Sequence, residues 1–182
     1  MDKTDISLYD MISYAIRVTD INKEYDLENN YSSFTSKKTQ SITIKDYFKR
    51  LFNFANCSEE CFTIALIYIN RIEEKTTNNK KHPGIILFKP KNAHRLLITA
   101  LLIAIKYRDD IYQYNNYYAK IGGILIEELN KLELEFLKYI EYDLYVRPIT
   151  FDNFKKYIMF VKSAPQVDNK ITRDSNDYCK IV

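Results

Sequence analysis

Apolar residues recur along this chain at intervals of three and four, and the one long exception to that rhythm marks its centre. From Leu96 to Ile105 every position but Thr99 is apolar, so a helix over that run has no polar face and must be surrounded by protein. The spacing predicts this helix from near Asn92, just past Pro90, to about Arg108. Amphipathic helices are predicted around it. Ile44, Phe48, Leu51 and Ala55 step by four, three and four behind Thr43, which can cap the helix with Asp46 three residues on. Ser58 reads as the N-cap of the next helix, with Glu59 and Glu60 in a first turn that favours carboxylates. Cys61, Ala65, Tyr68 and Ile72 form its apolar face.

A short fourth helix is predicted from Asn115 to Gly122-Gly123, the first glycine offering the left-handed conformation that ends helices at little cost. Asp110 and Asn115 can cap it by bonding nearby backbone groups, a structural role in which Tyr112 shares. Leu125, Leu129, Leu132, Phe136 and Ile140 form the buried face of a fifth helix, which Tyr145-Val146-Arg147-Pro148 stops. A final helix follows from Phe151 to Phe160, with a polar tail from Ser163. Ahead of these elements, Leu8, Ile12, Ala15 and Ile16 give one face to a helix from about Asp5 to Thr19. The polar stretch from Asp20 to Ser41 reads as a flexible, extended connection with few contacts, and Thr76 to Gly84 as a surface loop. The organisation is therefore an N-terminal helix and connection over 1–41, a five-helix unit over 42–146, and a C-terminal helix and tail over 147–182.

Length and composition narrow this to a single all-α domain. The 182 residues suit one core at a usual domain size of roughly 100–200 residues. Only three Gly and four Pro interrupt the chain, which leaves strands absent or trivial. The net charge of +3 is small, and basic pairs such as Lys49-Arg50, Lys80-Lys81 and Lys155-Lys156 are scattered, so no stripe points to nucleic acid. Cys57, Cys61 and Cys179 are too few for a disulfide framework, and the N-terminus has no charged-then-apolar signal segment. An intracellular protein, in cytoplasm or nucleus, is expected. The apolar run at Leu96 is about half the roughly 20 residues a membrane span requires.

The chemistry-bearing residues do not assemble into a catalytic pattern. His82 and His94 are isolated, Cys57 and Cys61 lack a second ligand pair, and no nucleophile sits beside a histidine in a recognisable elbow. Gly122-Gly123 closes a helix instead of opening one and lacks the G-x-G-x-x-G spacing of phosphate-binding turns. No enzyme, metal site or cofactor is expected. Two charges stand out instead. Lys106 closes the all-apolar helix, where the dipole favours a cation, and Glu133 lies on the fifth helix.

The motifs, taken in order, resemble those of the P-type cyclins, the phosphate-pathway-like branch of the cyclin-box family. The resemblance rests on Ile42-Thr43-Ile44-Lys45-Asp46-Tyr47-Phe48-Lys49-Arg50-Leu51, on Leu66-Ile67-Tyr68-Ile69-Asn70-Arg71-Ile72 and on Ala93-His94-Arg95-Leu96-Leu97-Ile98-Thr99. It extends through Asp110 to Ile124 and through Glu128-Leu129-Asn130-Lys131-Leu132-Glu133. Thr39-Gln40 stands where the family often has proline, and the segment from Thr76 to Lys89 is generous in length.

The resemblance implies a single five-helix cyclin box with its third helix enclosed. It also implies a non-catalytic subunit that activates a cyclin-dependent serine/threonine kinase by positioning the kinase's αC helix. Lys106 and Glu133 would then form a polar pair that hydrogen-bonds the αC backbone, with Ile103, Tyr107, Leu137, Tyr142 and Leu144 as the apolar contact surface. No nucleic acid or membrane enters this reading. The alternative is a cyclin box that serves transcription or acts as an adaptor, like the repeats of transcription factor IIB, binding nucleic acid or other proteins without a kinase. It predicts a basic face, which the scattered charges do not supply.

Overall fold

Local capping chemistry sets where several helices begin. In the computed structural model, which describes residues 6–23, 32–36, 40–78 and 86–163, Ser7 and Asp10 cap each other reciprocally ahead of α1 (Leu8–Asn22). The Thr43 hydroxyl accepts from the Asp46 N–H ahead of α2 (Ile44–Phe54). Then follow α3 (Glu60–Asn78), α4 (Ala93–Arg108), α5 (Asn115–Gly122), α6 (Ile126–Tyr139) and α7 (Pro148–Ser163). Pro148 opens α7 at the position where its missing N–H costs nothing. Among the described residues there is no strand, and no helix is long and apolar enough to cross a membrane.

The fold is all-α, with α4 as its axis. Every residue from Leu96 to Ile105 is buried, enclosed by α2, α3, α5 and α6. Even Thr99 is accommodated, since its hydroxyl donates to the Arg95 carbonyl at 2.7 Å. Outside this five-helix unit, α1 packs against α7 and α2. Tyr14 of α1 meets Phe154 edge-to-face at 5.6 Å, and Lys162 of α7 reaches Asp10 at 2.5 Å. The buried face of α1 also includes Met11 and Tyr14, beyond the positions its spacing suggested.

Several local expectations change once the helices pack. The connection between α1 and α2 is docked where it is described. Phe34 is fully buried and stands edge-to-face to Phe136 at 6.0 Å, while the Ser36 N–H donates to the Lys91 carbonyl at 2.8 Å. Asp20 to Asn22 belong to α1, and the Asn22 amide bridges Glu73 and the Phe88 carbonyl.

Thr76 is not in a surface loop. It is buried on α3, donates to the Ile72 carbonyl at 2.7 Å and accepts from the Ile86 N–H at 3.0 Å. Lys80, Lys81, His82, Gly84, Cys179 and the tail beyond Ser163 lie outside the described residues.

Ser58 does not cap α3 through its side chain, because that hydroxyl donates across to Asp109 at the end of α4. Leu125 is 72% exposed, one residue ahead of α6, so the buried face of that helix starts at Leu129. The left-handed residue after α5 is the second glycine, Gly123, with φ 69°. Gly122 is held by space instead: a Cβ there would come within 2.8 Å of Ile98 on α4.

Candidate partner-binding site

The C-terminal end of α4 carries a polar pair that it shares with α6. Lys106 Nζ donates to Glu133 Oε1 at 2.6 Å. The other carboxylate oxygen of Glu133 accepts from Asn115 Nδ2 at 2.8 Å, and the same amide donates to Asn130 Oδ1 at 2.7 Å. Glu133 is thus fixed from two sides, and its fixed carboxylate orients the lysine. Neither side chain is sealed from water, the lysine being 30% and the glutamate 15% exposed. An ammonium has three donors, so Lys106 keeps capacity beyond its bond to Glu133.

Asn115 belongs to α5 as its first residue and caps nothing with its side chain, and Asp110 is exposed in the preceding turn. The tie from Asn115 to Glu133 has no sequence signal of its own. It depends on the Gly122-Gly123 turn folding α5 back against α6.

The apolar residues singled out in the sequence divide into three groups. Tyr107 and Tyr142 are 53% and 63% exposed. Leu137 and Leu144 are partly buried, packed against the core with an edge to solvent. Ile103 departs from the expectation: at 3% exposure it is a core side chain and not a surface contact. It lies three residues before Lys106, on the inward side of α4.

What positions Tyr142 and Leu144 is a set of α3 residues that sequence reasoning did not assign to the site. Tyr68 donates its hydroxyl to the Leu144 carbonyl at 2.7 Å. Arg71 donates to the carbonyls of Asp143 and Tyr145 at 2.8 and 3.0 Å, and Lys75 pairs with Glu141 at 2.9 Å. Burial pushes the Tyr68 phenol up in pKa, so it stays a donor across the ordinary pH range.

The held segment is strained. Glu141 and Tyr142 both have φ 57°, a left-handed conformation that costs a non-glycine residue about 1–2 kcal/mol. The Tyr142 N–H closes the end of α6 on the Leu137 carbonyl at 3.0 Å, and the turn sends the Tyr142 ring outward. Next to it, a groove of about 840 Å³ runs past Tyr68, Tyr107, Leu144, Tyr145 and Phe151.

A five-helix unit around a buried central helix, with this pair at its rim, meets the comparison with known proteins directly: the Cyclin family model matches residues 9–144, from inside α1 to the held segment. The chain belongs to the cyclin family. Cyclin-U4-3 of Arabidopsis thaliana is 40% identical over 149 residues, 81% of this chain and 65% of that protein. Cyclin-U4-1 of the same plant is 42% identical over 127 residues, 70% of this chain and 59% of its own length. Cyclin-P4-1 of Oryza sativa subsp. japonica is 37% identical over 141 residues, 75% of this chain and 63% of that cyclin. This cyclin chain therefore spans less than two thirds of each of these relatives. The likeness to P-type cyclins read from its motifs is upheld by the P-type name of the Oryza sativa relative.

Proposed function

We propose that this chain is a non-catalytic regulatory subunit that acts inside the cell, binds a cyclin-dependent serine/threonine protein kinase and activates it by holding the kinase's αC helix inward. The observation that carries the reading is the Lys106–Glu133 pair, 2.6 Å apart and partly exposed, on a chain that also exposes Tyr107, next to Lys106 in sequence, and Tyr142. A lysine already fixed by a carboxylate loses little freedom when it donates to a carbonyl of an incoming helix. Tyrosines beside it supply contact area with a polar tip, the side-chain type enriched at interfaces. The groove past Tyr107 and Leu144, lined by charged side chains such as Glu60, Arg108 and Asp152 as well as apolar ones, gives a partner helix a place to dock.

Seating αC inward brings its glutamate to the ATP-binding lysine of kinase strand β3, a pairing that active kinases require. Moving a kinase from mostly inactive to mostly active takes a preference of about 5 kcal/mol for the active state. An interface of roughly 1,200–2,000 Å² can supply it.

The test is affinity capture of the tagged chain from its own cells, beside a Lys106→Ala/Glu133→Ala variant whose helix content is verified, followed by kinase assay of the eluates. A cyclin-dependent kinase recovered active with the native chain and lost with the variant is expected. Folded native chain that recovers no such kinase overturns the reading.

A further inference from the structure

Two thiols close together in the sequence, in the α2–α3 turn and the start of α3, meet a carboxylate from much farther along the chain. Cys57 sits in that turn, half buried, and Cys61 in the first turn of α3, fully buried. Asp109 is the residue just past the end of α4. One donor atom from each lies within 4.8 Å of the other two. We propose that Cys57, Cys61 and Asp109 form a binding site for a soft divalent metal ion, zinc being the occupant their chemistry fits best.

The geometry suits the ion. Zinc binds thiolate sulfur at about 2.3 Å and carboxylate oxygen at about 2.0–2.2 Å, so tetrahedral donors stand roughly 3.4–3.8 Å apart. Donors already within 4.8 Å need close in by little more than about 1 Å. Three intervening residues between Cys57 and Cys61 fall in the usual spacing for a zinc-binding cysteine pair. Two thiolates select zinc over magnesium or calcium, which prefer all-oxygen sites.

A supporting shell is present as well. The Ser58 N–H donates to Asp109 Oδ2 at 3.0 Å and the Ser58 hydroxyl donates to Oδ1. These bonds fix the carboxylate while leaving each oxygen a second lone pair. The same hydroxyl lies 3.3 Å from Cys61 Sγ. A hydrogen bond to Cys61, burial and the nearby Asp109 push the Cys57 thiol up. Cysteine binds metal as thiolate, so a dication displaces the thiol protons to solvent. The balance closes: two protons leave as one dication enters, and the site's net charge is unchanged. With three protein donors, water completes the tetrahedron. The ion would staple the α2–α3 turn to the end of α4 from which Lys106 projects.

Cobalt(II) and zinc(II) are the probes. The full chain, carrying Cys179→Ser and kept reduced with a phosphine, is titrated with cobalt while thiolate-to-cobalt charge-transfer and tetrahedral visible bands are recorded. A single cobalt per chain and bleaching by stoichiometric zinc are expected. Cys57→Ser and Asp109→Asn, on the same background and shown folded by circular dichroism, should each weaken cobalt binding at least as much as the roughly 10–100-fold that loss of outer-shell support costs. Folded chain without a charge-transfer band at saturating cobalt overturns the proposal. So does a band of equal strength and affinity in both variants. Using Cys57→Ser keeps the test independent of buried Cys61, whose replacement can perturb folding by itself.

Discussion

Glu133 holds Lys106 at 2.6 Å across the α4–α6 contact, and it does so with only one of its two oxygens. The other is taken by Asn115, so the carboxylate has no freedom to swing away when a partner approaches. In the isolated chain the pair is partly solvated and worth at most about 1 kcal/mol. In a complex that covers it, leaving one partner unpaired costs roughly 3–5 kcal/mol. Lys106→Ala is therefore expected to change urea-unfolding stability by less than about 1 kcal/mol while weakening kinase affinity by 100-fold or more, on the order of one decade per 1.4 kcal/mol. The Lys106→Ala/Glu133→Ala double variant should lose less than the sum of the singles, since the two share one interaction. Calorimetric titration of the four proteins checks both statements, and an unchanged dissociation constant for Lys106→Ala would remove these residues from the interface.

Arg71 tests whether the 143–145 segment acts through its position. Its guanidinium donates to the backbone carbonyls on either side of Leu144. Arg71→Ala should cost about 1.5–3 kcal/mol of stability, the range for hydrogen bonds to charged groups, and should weaken kinase binding as well. Tyr142→Gly separates the two effects. It relieves a left-handed strain at φ 57° and removes a largely exposed ring, so stability is expected to hold or rise while binding falls by about 1–2 kcal/mol or more. If Tyr142→Gly binds the kinase as well as the native chain, the strained turn serves only to end α6.

The central helix was legible because an all-apolar run admits one reading, and Thr43 with Asp46 because a cap is a local device. What sequence pattern missed was non-local. Ser58 looks like an N-cap until Asp109 arrives from the far end of α4 and takes its hydroxyl. Phe34 lies in a stretch where polar residues outnumber apolar ones, so any window average reads that stretch as loosely attached, yet the ring fills a place against Phe136. Leu125 continues the four-residue step one turn too far, since periodicity does not show where the helix starts. Lys106 and Glu133 were visible through motif order alone. Asn115, Tyr68 and Arg71, which hold the candidate surface in shape, became visible only through hydrogen bonds between elements.

The two adjacent glycines are required for different reasons, and substitutions tell them apart. Gly123 is left-handed with open space around its missing Cβ, so Gly123→Ala should cost about 1–2 kcal/mol and Gly123→Asn less, asparagine being the side chain that tolerates this conformation. Gly122 is helical, and alanine would gain about 1 kcal/mol of helix propensity there. That gain is opposed by the 2.8 Å approach to Ile98, a fully buried residue with packed neighbours. Overpacking costs about 1–3 kcal/mol, so Gly122→Ala is expected to lower the melting temperature, and Gly122→Asn to lower it further. A raised melting temperature for Gly122→Ala would mean that Ile98 yields freely.

His94 gives the fold a dependence on pH whose sign is fixed by its surroundings. Burial holds the imidazole below its ordinary value and Arg95 pushes the same way, against the Ile42 carbonyl that accepts from Nε2 at 2.9 Å. Nδ1 is buried without a partner among the described residues, so the neutral ring with its proton on Nε2 is the form the fold accommodates, edge-to-face on Tyr47 at 4.7 Å. The unfolded chain binds this proton with a pKa of about 6.5. Between that value and the lower folded one, the unfolded state carries more protons, so stability is fully present above about pH 6.5 and declines as pH falls toward the folded value. The slope cannot exceed about 1.4 kcal/mol per pH unit for one group. Urea unfolding at about pH 7.5, 6.5 and 5.5 should therefore show a loss in the native chain that His94→Gln largely abolishes, with His82 common to both proteins. Parallel losses in the two proteins would place the titrating group elsewhere.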